Sequence, residues 1–310
     1  MAKQTMGIHH ISAIVGHPQE NVDFYAGVLG LRLIKKTVNF DDPGTYHLYF
    51  GNEGGKPGTI ITFFPWAGAR QGVIGDGQVG VTSYVVPIGA MNFWENRLRK
   101  FGISYTMQAK FGENSLAFDD PHGLHLEIVE REEGEENTWT FGDVTPDVAI
   151  KGFGGATLYS TNPNQTTLLL EEVLGLELIR KEGNVARFRS PADIGNIIDL
   201  KLTTDHRGRM GVGIVHHIAW RAIDDKDHLE WQQYIEENGY GVTPVRDRNY
   251  FNAIYFKEHG NILFEIATDT PGFTIDETQE TLGEKLMLPP QYESQRTQLE
   301  QSLIPIEVKK

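Results

Sequence analysis

Apolar and polar positions alternate every second residue in short runs of this chain, and between runs the apolar spacing lengthens to three and four. Ile8 to Val15 makes the first short run. Pro18 then opens a stretch whose apolar face carries Val22, Tyr25 and Leu29, and Gly30 closes it. A period of two marks a half-buried strand and a period near 3.6 an amphipathic helix. Pro at the first turn, Glu20 beside it and Gly at the C-cap supply the helix boundaries. Strand-like runs follow at Leu31 to Asn39, Tyr46 to Gly51 and Thr59 to Phe64. The predicted unit is therefore one strand, one helix and three strands.

That unit recurs. Val28-Leu-Gly-Leu-Arg-Leu-Ile-Lys-Lys36 returns as Val173-Leu-Gly-Leu-Glu-Leu-Ile-Arg-Lys181 at an offset of 145, which also carries Gly7 onto Gly152 and Pro18 onto Pro163. At an offset of 137, Trp94 falls on Trp231, Gly102 on Gly239 and His122-Gly123 on His259-Gly260. Two registers predict an α+β protein of four βαβββ modules, about 7–65, 80–130, 152–202 and 213–268. They form an N-terminal half, 1–145, and a C-terminal half, 146–270, because one module alone cannot bury its own apolar face. The acidic run Glu130 to Glu136 is expected to be a solvated linker. The tail, 271–310, does not repeat; it is expected to wrap the surface, with a lid over a pocket as the sharper alternative.

The repeat locates the chemistry. Ile8-His9-His10-Ile11 in module one matches Val215-His216-His217-Ile218 in module four, and the offsets place Gly155 and Gly80 at the sibling positions. Neighbouring strand residues point to opposite faces, so each pair can aim one imidazole inward and keep the other behind it as support. Glu265 lies inside the apolar strand Ile262-Leu-Phe-Glu-Ile266, where an unpaired carboxylate is costly. If modules one and four pair, His10, His217 and Glu265 surround one cavity and the fourth corner, near Thr62 or Phe63, holds no ligand. Two histidines and a carboxylate with open positions make a metal site. Modules two and three offer His125, Glu127 and Asp199, a cup of acids without a first-strand histidine, expected to be structural. His17, His47, His206 and His228 are assigned to surface or core.

Composition narrows the partners. Lys and Arg total 28 against 42 Asp and Glu, a net charge of −14, which disfavours nucleic acid and anionic membranes. There is no cysteine, hence no disulfide or thiolate chemistry. No apolar run approaches a membrane span and Met1 to Gly7 lacks a basic-then-apolar leader, so a cytoplasmic location is expected.

Together, Ile8-His-His-Ile-Ser12, Val215-His-His-Ile218 and Leu263-Phe-Glu265 in a four-module frame resemble the vicinal oxygen chelate superfamily, which includes glyoxalases and extradiol dioxygenases. Tyr46-His-Leu-Tyr-Phe50, Pro57-Gly-Thr59, Ile197-Ile-Asp-Leu200 and Gly272-Phe-Thr274 are similar to the bacterial ring-cleaving dioxygenases that open hydroquinone and chlorinated hydroquinones. The resemblance implies Fe(II), with Mn(II) as the alternative, on His10, His217 and Glu265. It implies supporting and substrate-contacting roles for His9, Ser12, His216, Arg248 and Tyr255. Ser12 stands where a relative has threonine, and Arg246 competes with Arg248 because this segment is one residue short. The implied partners are a small aromatic diol and O2, and a homo-oligomer is left open. Two rivals remain: a glyoxalase-type metal-dependent lyase or isomerase, and a metal-free protein that binds an aromatic toxin.

Overall fold

The computed structural model describes residues 3–309. Module one contributes strands β1 (Ile8–Val15), β2 (Arg32–Val38), β3 (Tyr46–Gly51) and β4 (Ile60–Pro65). Module two contributes β5 (Gln78–Val86), β6 (Tyr105–Lys110), β7 (Glu113–Asp119) and β8 (His125–Glu130). Module three contributes β9 (Gly152–Tyr159), β10 (Glu177–Glu182), β11 (Val185–Arg189) and β12 (Ile197–Lys201). Module four contributes β13 (Ile214–Ala222), β14 (Arg246–Asp247), β15 (Phe251–Lys257) and β16 (Leu263–Pro271). Within each module the first strand runs parallel to the last, and the remaining pairs are antiparallel.

Two eight-stranded sheets result, and neither follows the sequence halves. Modules four and one join through antiparallel β13 and β1 in the order β14-β15-β16-β13-β1-β4-β3-β2; modules three and two join through β9 and β5 in the order β10-β11-β12-β9-β5-β8-β7-β6. Module one thus pairs with module four, the condition on which the shared cavity depended. Helices cover the outer faces, burying Trp94 and Trp231 at the register shared by α2 (Met91–Lys100) and α4 (Asp225–Glu237). None of the helices among the described residues is long and apolar enough to cross a membrane.

The first helix starts as its sequence predicts. His17 caps it by accepting the Gln19 N–H, Pro18 takes the first turn, and Gly30 ends it at φ +69°. It departs from prediction in its second half. The α-turn α1 (Pro18–Val22) widens into a π-helical turn over Asp23–Val28, and α3 (Pro163–Leu168) widens likewise over Leu169–Val173. The widening belongs to the repeat, since it recurs at the same place.

Two connecting segments also differ from expectation. Inside the acidic run, Arg131 is buried: its guanidinium donates to the Gly154 carbonyl at 2.7 Å and pairs with Glu113. A fully solvated linker therefore gives way to one anchored at its second residue. The tail does more than wrap. Lys35, fully buried on β2, binds Asp276 at 2.6 Å and also Glu277, while Tyr250 donates to Asp276 at 2.9 Å. Phe273 and Leu282 of the tail enter the first sheet's concave side and pack with Ile34, Tyr49 and Tyr250.

Candidate metal centre

Strand register assembles the site as two adjacent rows across the first sheet's concave face. One row reads Tyr255, Glu265, Ala219, His10 and Ile60 across β15, β16, β13, β1 and β4. The next reads His217, Ser12, Thr62, Tyr49 and Lys35 across β13, β1, β4, β3 and β2. Three ligand-type residues thus meet from three strands of two distant modules. The ligand atoms of His10, His217 and Glu265 all lie within 4.8 Å of one another, and all three residues are buried.

The donor set fits a divalent cation. His217 Nε2 lies 2.8 Å and His10 Nε2 3.5 Å from Glu265 Oε2, and the two imidazole nitrogens are 3.2 Å apart. Yet neither Glu265 oxygen receives an aligned hydrogen-bond donor. Lone pairs converging on one buried point, with an orphaned carboxylate among them, are stable only around a positive charge. Burial opposes ionisation of Glu265; the facing His10 and His217 draw its carboxyl below the usual range when they are protonated, and with neutral imidazoles a cation must supply that charge. Burial pushes His217 down, which favours the neutral imidazole a metal requires.

The paired histidines act differently from the simple alternation expected for a strand. Opposite Ile8 and His10 stand the consecutive residues Trp220 and Ala219, and opposite Ser12 and Ala13 stand His217 and Val215. His9 and His216 are therefore the extra residues of two β-bulges, which turn consecutive side chains toward one another. His9 Nδ1 meets His10 Nδ1 at 2.9 Å and His216 Nδ1 meets His217 Nδ1 at 2.7 Å. A proton on the inner ring's Nδ1 leaves its Nε2 lone pair facing the centre, so the first histidine of each pair fixes the tautomer of the second. Burial lowers His216 to about 4 and His9 well below the usual imidazole range.

The remaining expected residues gather around this centre. Tyr255 stands beside Glu265 in register, and Arg248 Nε donates to the Tyr255 hydroxyl at 3.3 Å. Arg246 is exposed, so the structure aims Arg248 at the centre. Arg248 also reaches Asp41 at 3.4 Å across the mouth of the cup. Burial and then Glu265 push the Tyr255 phenol far up, so it stays protonated. Ser12 shares a 2.6 Å hydrogen bond with Thr62, which occupies the fourth corner where no ligand was expected.

Three expectations need correction. His47 is no bystander: it is buried on this face, 2.9 Å from Thr62 Oγ1 through Nε2 and 2.8 Å from the Tyr49 hydroxyl through Nδ1. The alternation of Tyr46 to Phe50 already put His47 and Tyr49 on one face, but nothing in it said which. Second, the sibling glycines have structural causes. A Cβ on Gly155, at φ +146°, would lie 2.2 Å from the Ile197 carbonyl oxygen, and one on Gly80 would lie 2.4 Å from the Tyr159 ring. The pairing of Val81 with Thr157 also makes Val81, not Gly80, the register equivalent of His217. Third, the second sheet's cup does not hold acids only: Glu127 pairs with Lys110 at 2.9 Å and Asp199 with Arg187 at 2.8 Å. His17 and His206 are exposed and His228 is a core residue, as expected.

A cavity of about 290 Å³, lined by Val215, Met210, Leu263 and Lys257, touches the site residues only through His216 and His217. A larger one of about 620 Å³ lies on the second sheet around Glu127 and Lys110. Size does not select the site here, because the larger cavity lacks any convergent set of ligand atoms among the described residues.

Known proteins agree with this frame. A model of the glyoxalase/bleomycin resistance protein/dioxygenase superfamily matches residues 7–128 and 153–275. A Bacillus subtilis (strain 168) protein provisionally named ring-cleaving dioxygenase MhqO is 77% identical over 309 residues, covering 100% of this chain and 99% of that one. The chlorohydroquinone/hydroquinone 1,2-dioxygenase of Sphingobium indicum is 33% identical over 313 residues, covering 96% of each. A crystal structure of a provisionally named Bacillus subtilis dioxygenase, 77% identical and covering 100% of both chains, superposes with a TM-score of 0.99. Glyoxalase I of Zea mays, 14% identical, covers 85% of this chain and 92% of its own with a TM-score of 0.64, and shares the fold. With both halves matched and a conserved-length relative at high identity, the chain belongs to the glyoxalase/bleomycin resistance protein/dioxygenase superfamily.

Proposed function

We propose that this protein is a non-haem Fe(II) dioxygenase that cleaves the ring of a hydroquinone- or catechol-type diol, adding both atoms of O2 beside a hydroxylated ring carbon. The observation that carries the reading is the buried triad of His10, His217 and Glu265 with Thr62, not a fourth ligand, at the remaining corner. Two neutral imidazoles and one carboxylate would leave a bound divalent iron with one net positive charge and open positions. Bound there, iron supplies redox contact between an electron-rich ring and dioxygen. Mn(II) is the alternative occupant.

The chain's own groups bind and orient the ring. A para-diol reaches the metal through one oxygen only, so its second oxygen needs a protein partner. Tyr255, kept protonated by burial and by Glu265, is a donor for it, and the Arg248 guanidinium adds positive charge where phenolate character develops. His216, neutral through burial and accepting from His217 at Nδ1, keeps its own proton on Nε2, which can donate a hydrogen bond to the diol. The dioxygenase named for hydroquinone and chlorohydroquinone, 33% identical over nearly the whole chain, supports this substrate class.

Thr62 counts against a glyoxalase-type lyase, which commonly wants a second carboxylate at that corner. Convergence of the triad counts against a metal-free aromatic-binding protein. The test is oxygen uptake by anaerobically iron-loaded protein against a panel of catechols and hydroquinones, with the ring-opened product measured. Stoichiometric oxygen consumption with ring opening is expected. Anaerobic turnover of a hemithioacetal, or diol binding without oxygen uptake, overturns the reading.

A further inference from the structure

Four polar side chains run in an unbroken line along the wall that faces the triad. Tyr49 OH lies 2.8 Å from His47 Nδ1, His47 Nε2 lies 2.9 Å from Thr62 Oγ1, and Thr62 Oγ1 lies 2.6 Å from Ser12 Oγ. Tyr49, Thr62 and Ser12 are fully buried and His47 nearly so. The line ends at the centre. β1 pairs regularly with β13 from His10 to Ser12, so Ser12 keeps the face of His10 and stands opposite His217.

Such a line has a direction. A neutral imidazole offers one N–H and one lone pair, and every hydroxyl can donate once. If Tyr49 donates to His47 Nδ1, then Nε2–H donates to Thr62, Thr62 donates to Ser12, and the Ser12 O–H is left free on the centre's side. In the opposite sense the free O–H belongs to Tyr49, whose ring is packed among Tyr250 and Phe273 in an apolar cluster. A buried donor without a partner is costly there, whereas a donor at Ser12 has a ligand to meet. Burial pushes the Tyr49 phenol well up and the His47 imidazole well down, consistent with a donating phenol and a neutral ring.

Resting on the dioxygenase reading, we propose that His47, oriented by Tyr49, is a positioning residue that sets the Thr62 and Ser12 hydroxyls so that Ser12 donates to the diol oxygen bound beside the triad. The second sheet shows what the alternative arrangement looks like. At the register of Thr62 and Tyr49 it has Asp199 and Arg187, an ion pair that offers no hydroxyl to a cup without a triad.

The test compares iron-loaded wild type with His47→Leu, His47→Gln, Ser12→Ala and the double variant His47→Leu/Ser12→Ala. The readouts are metal stoichiometry, the anaerobic Kd for hydroquinone, and KM and kcat for oxygen uptake. Loss of one donated hydrogen bond predicts a Kd and KM about tenfold higher in Ser12→Ala and in His47→Leu, with metal stoichiometry unchanged. His47→Gln, whose amide can still donate to Thr62, is expected to recover most of the loss. The double variant is expected to be no worse than either single one, because both act on the same donor. If His47→Leu unfolds, Ser12→Ala and His47→Gln still decide the matter. An unchanged Kd in Ser12→Ala, additive losses in the double variant, or a His47→Gln no better than His47→Leu overturns the proposal. A wild type that consumes no oxygen with any diol overturns the function itself, and that outcome is separable from these.

Discussion

Replacing Glu265 with glutamine separates two demands on one buried side chain. At pH 8 the His217 imidazole, pushed down by burial, is neutral, and both Glu265 oxygens lack an aligned donor. A carboxylate taken out of water without a counter-charge costs several kcal/mol, which a neutral amide of the same shape avoids. In chelator at this pH, Glu265→Gln is therefore expected to be at least as stable as the wild type. A divalent ion reverses the order. At about 100 times its Kd, the ion stabilises the wild type by about 2.7 kcal/mol through mass action. At roughly 1.5 °C per kcal/mol for a chain of 310 residues, Tm rises by about 4 °C. With one ligand removed, the variant is expected to shift by less than about 1 °C. The assay is thermal unfolding with Mn(II), which is stable in air, against EDTA. A wild type whose Tm ignores metal, or a variant that keeps the full shift, refutes the argument that these three residues form a cation site.

Other perturbations reach different parts of the molecule. His9→Leu removes the partner of His10 Nδ1, so metal affinity is expected to fall about 10- to 100-fold in a chelator competition; equal affinity would deny His9 its orienting role. Lys35→Met leaves Glu277 buried without its cation and is expected to cost about 3 to 5 kcal/mol in urea unfolding. A loss below about 1 kcal/mol would mean that the tail is held by something else. Asp120 carries a pH signature: burial raises its carboxyl from 3.8 to about 6. Its stabilising contribution is full below 3.8 and disappears as pH rises through about 6. The total of about 3 kcal/mol should show as a decline in unfolding free energy across that window. In Asp120→Asn the decline should flatten, and an unchanged slope would reject the assignment.

Much of the fold was legible because the protein repeats itself. Two copies of a nine-residue stretch and the matching Trp94 and Trp231 fix four modules, since a pattern that buries one face must do so at the same positions in every copy. The same register singled out His10, His217 and Glu265, chemistry that the other copies lack. The reasoning from glycine was less secure than its conclusion. Gly155 and Gly80 are glycine because a Cβ would strike Ile197 or Tyr159, so backbone crowding rather than absence of function accounts for them.

What escaped the sequence depended on contacts between strands. Bulges at His9 and His216 arise from the β1–β13 pairing, and no local pattern announces that consecutive histidines will face each other. His47 looked ordinary because its partners, Thr62 and Tyr49, are joined to it by cross-strand register and its relation to Ser12 passes through a second strand. The tail's Phe273 and Leu282 gave no periodic signal, yet they wall the cup once Lys35 binds Asp276 and Glu277. The sequence by itself determined the modules, the ligand-type residues and the exclusion of thiolate chemistry, because periodicity and residue type are properties of the chain alone. Tertiary structure decided which module partners which, which imidazole nitrogen faces the centre, and which hydroxyls line it. Those depend on strand register, and register is fixed only when two distant strands meet.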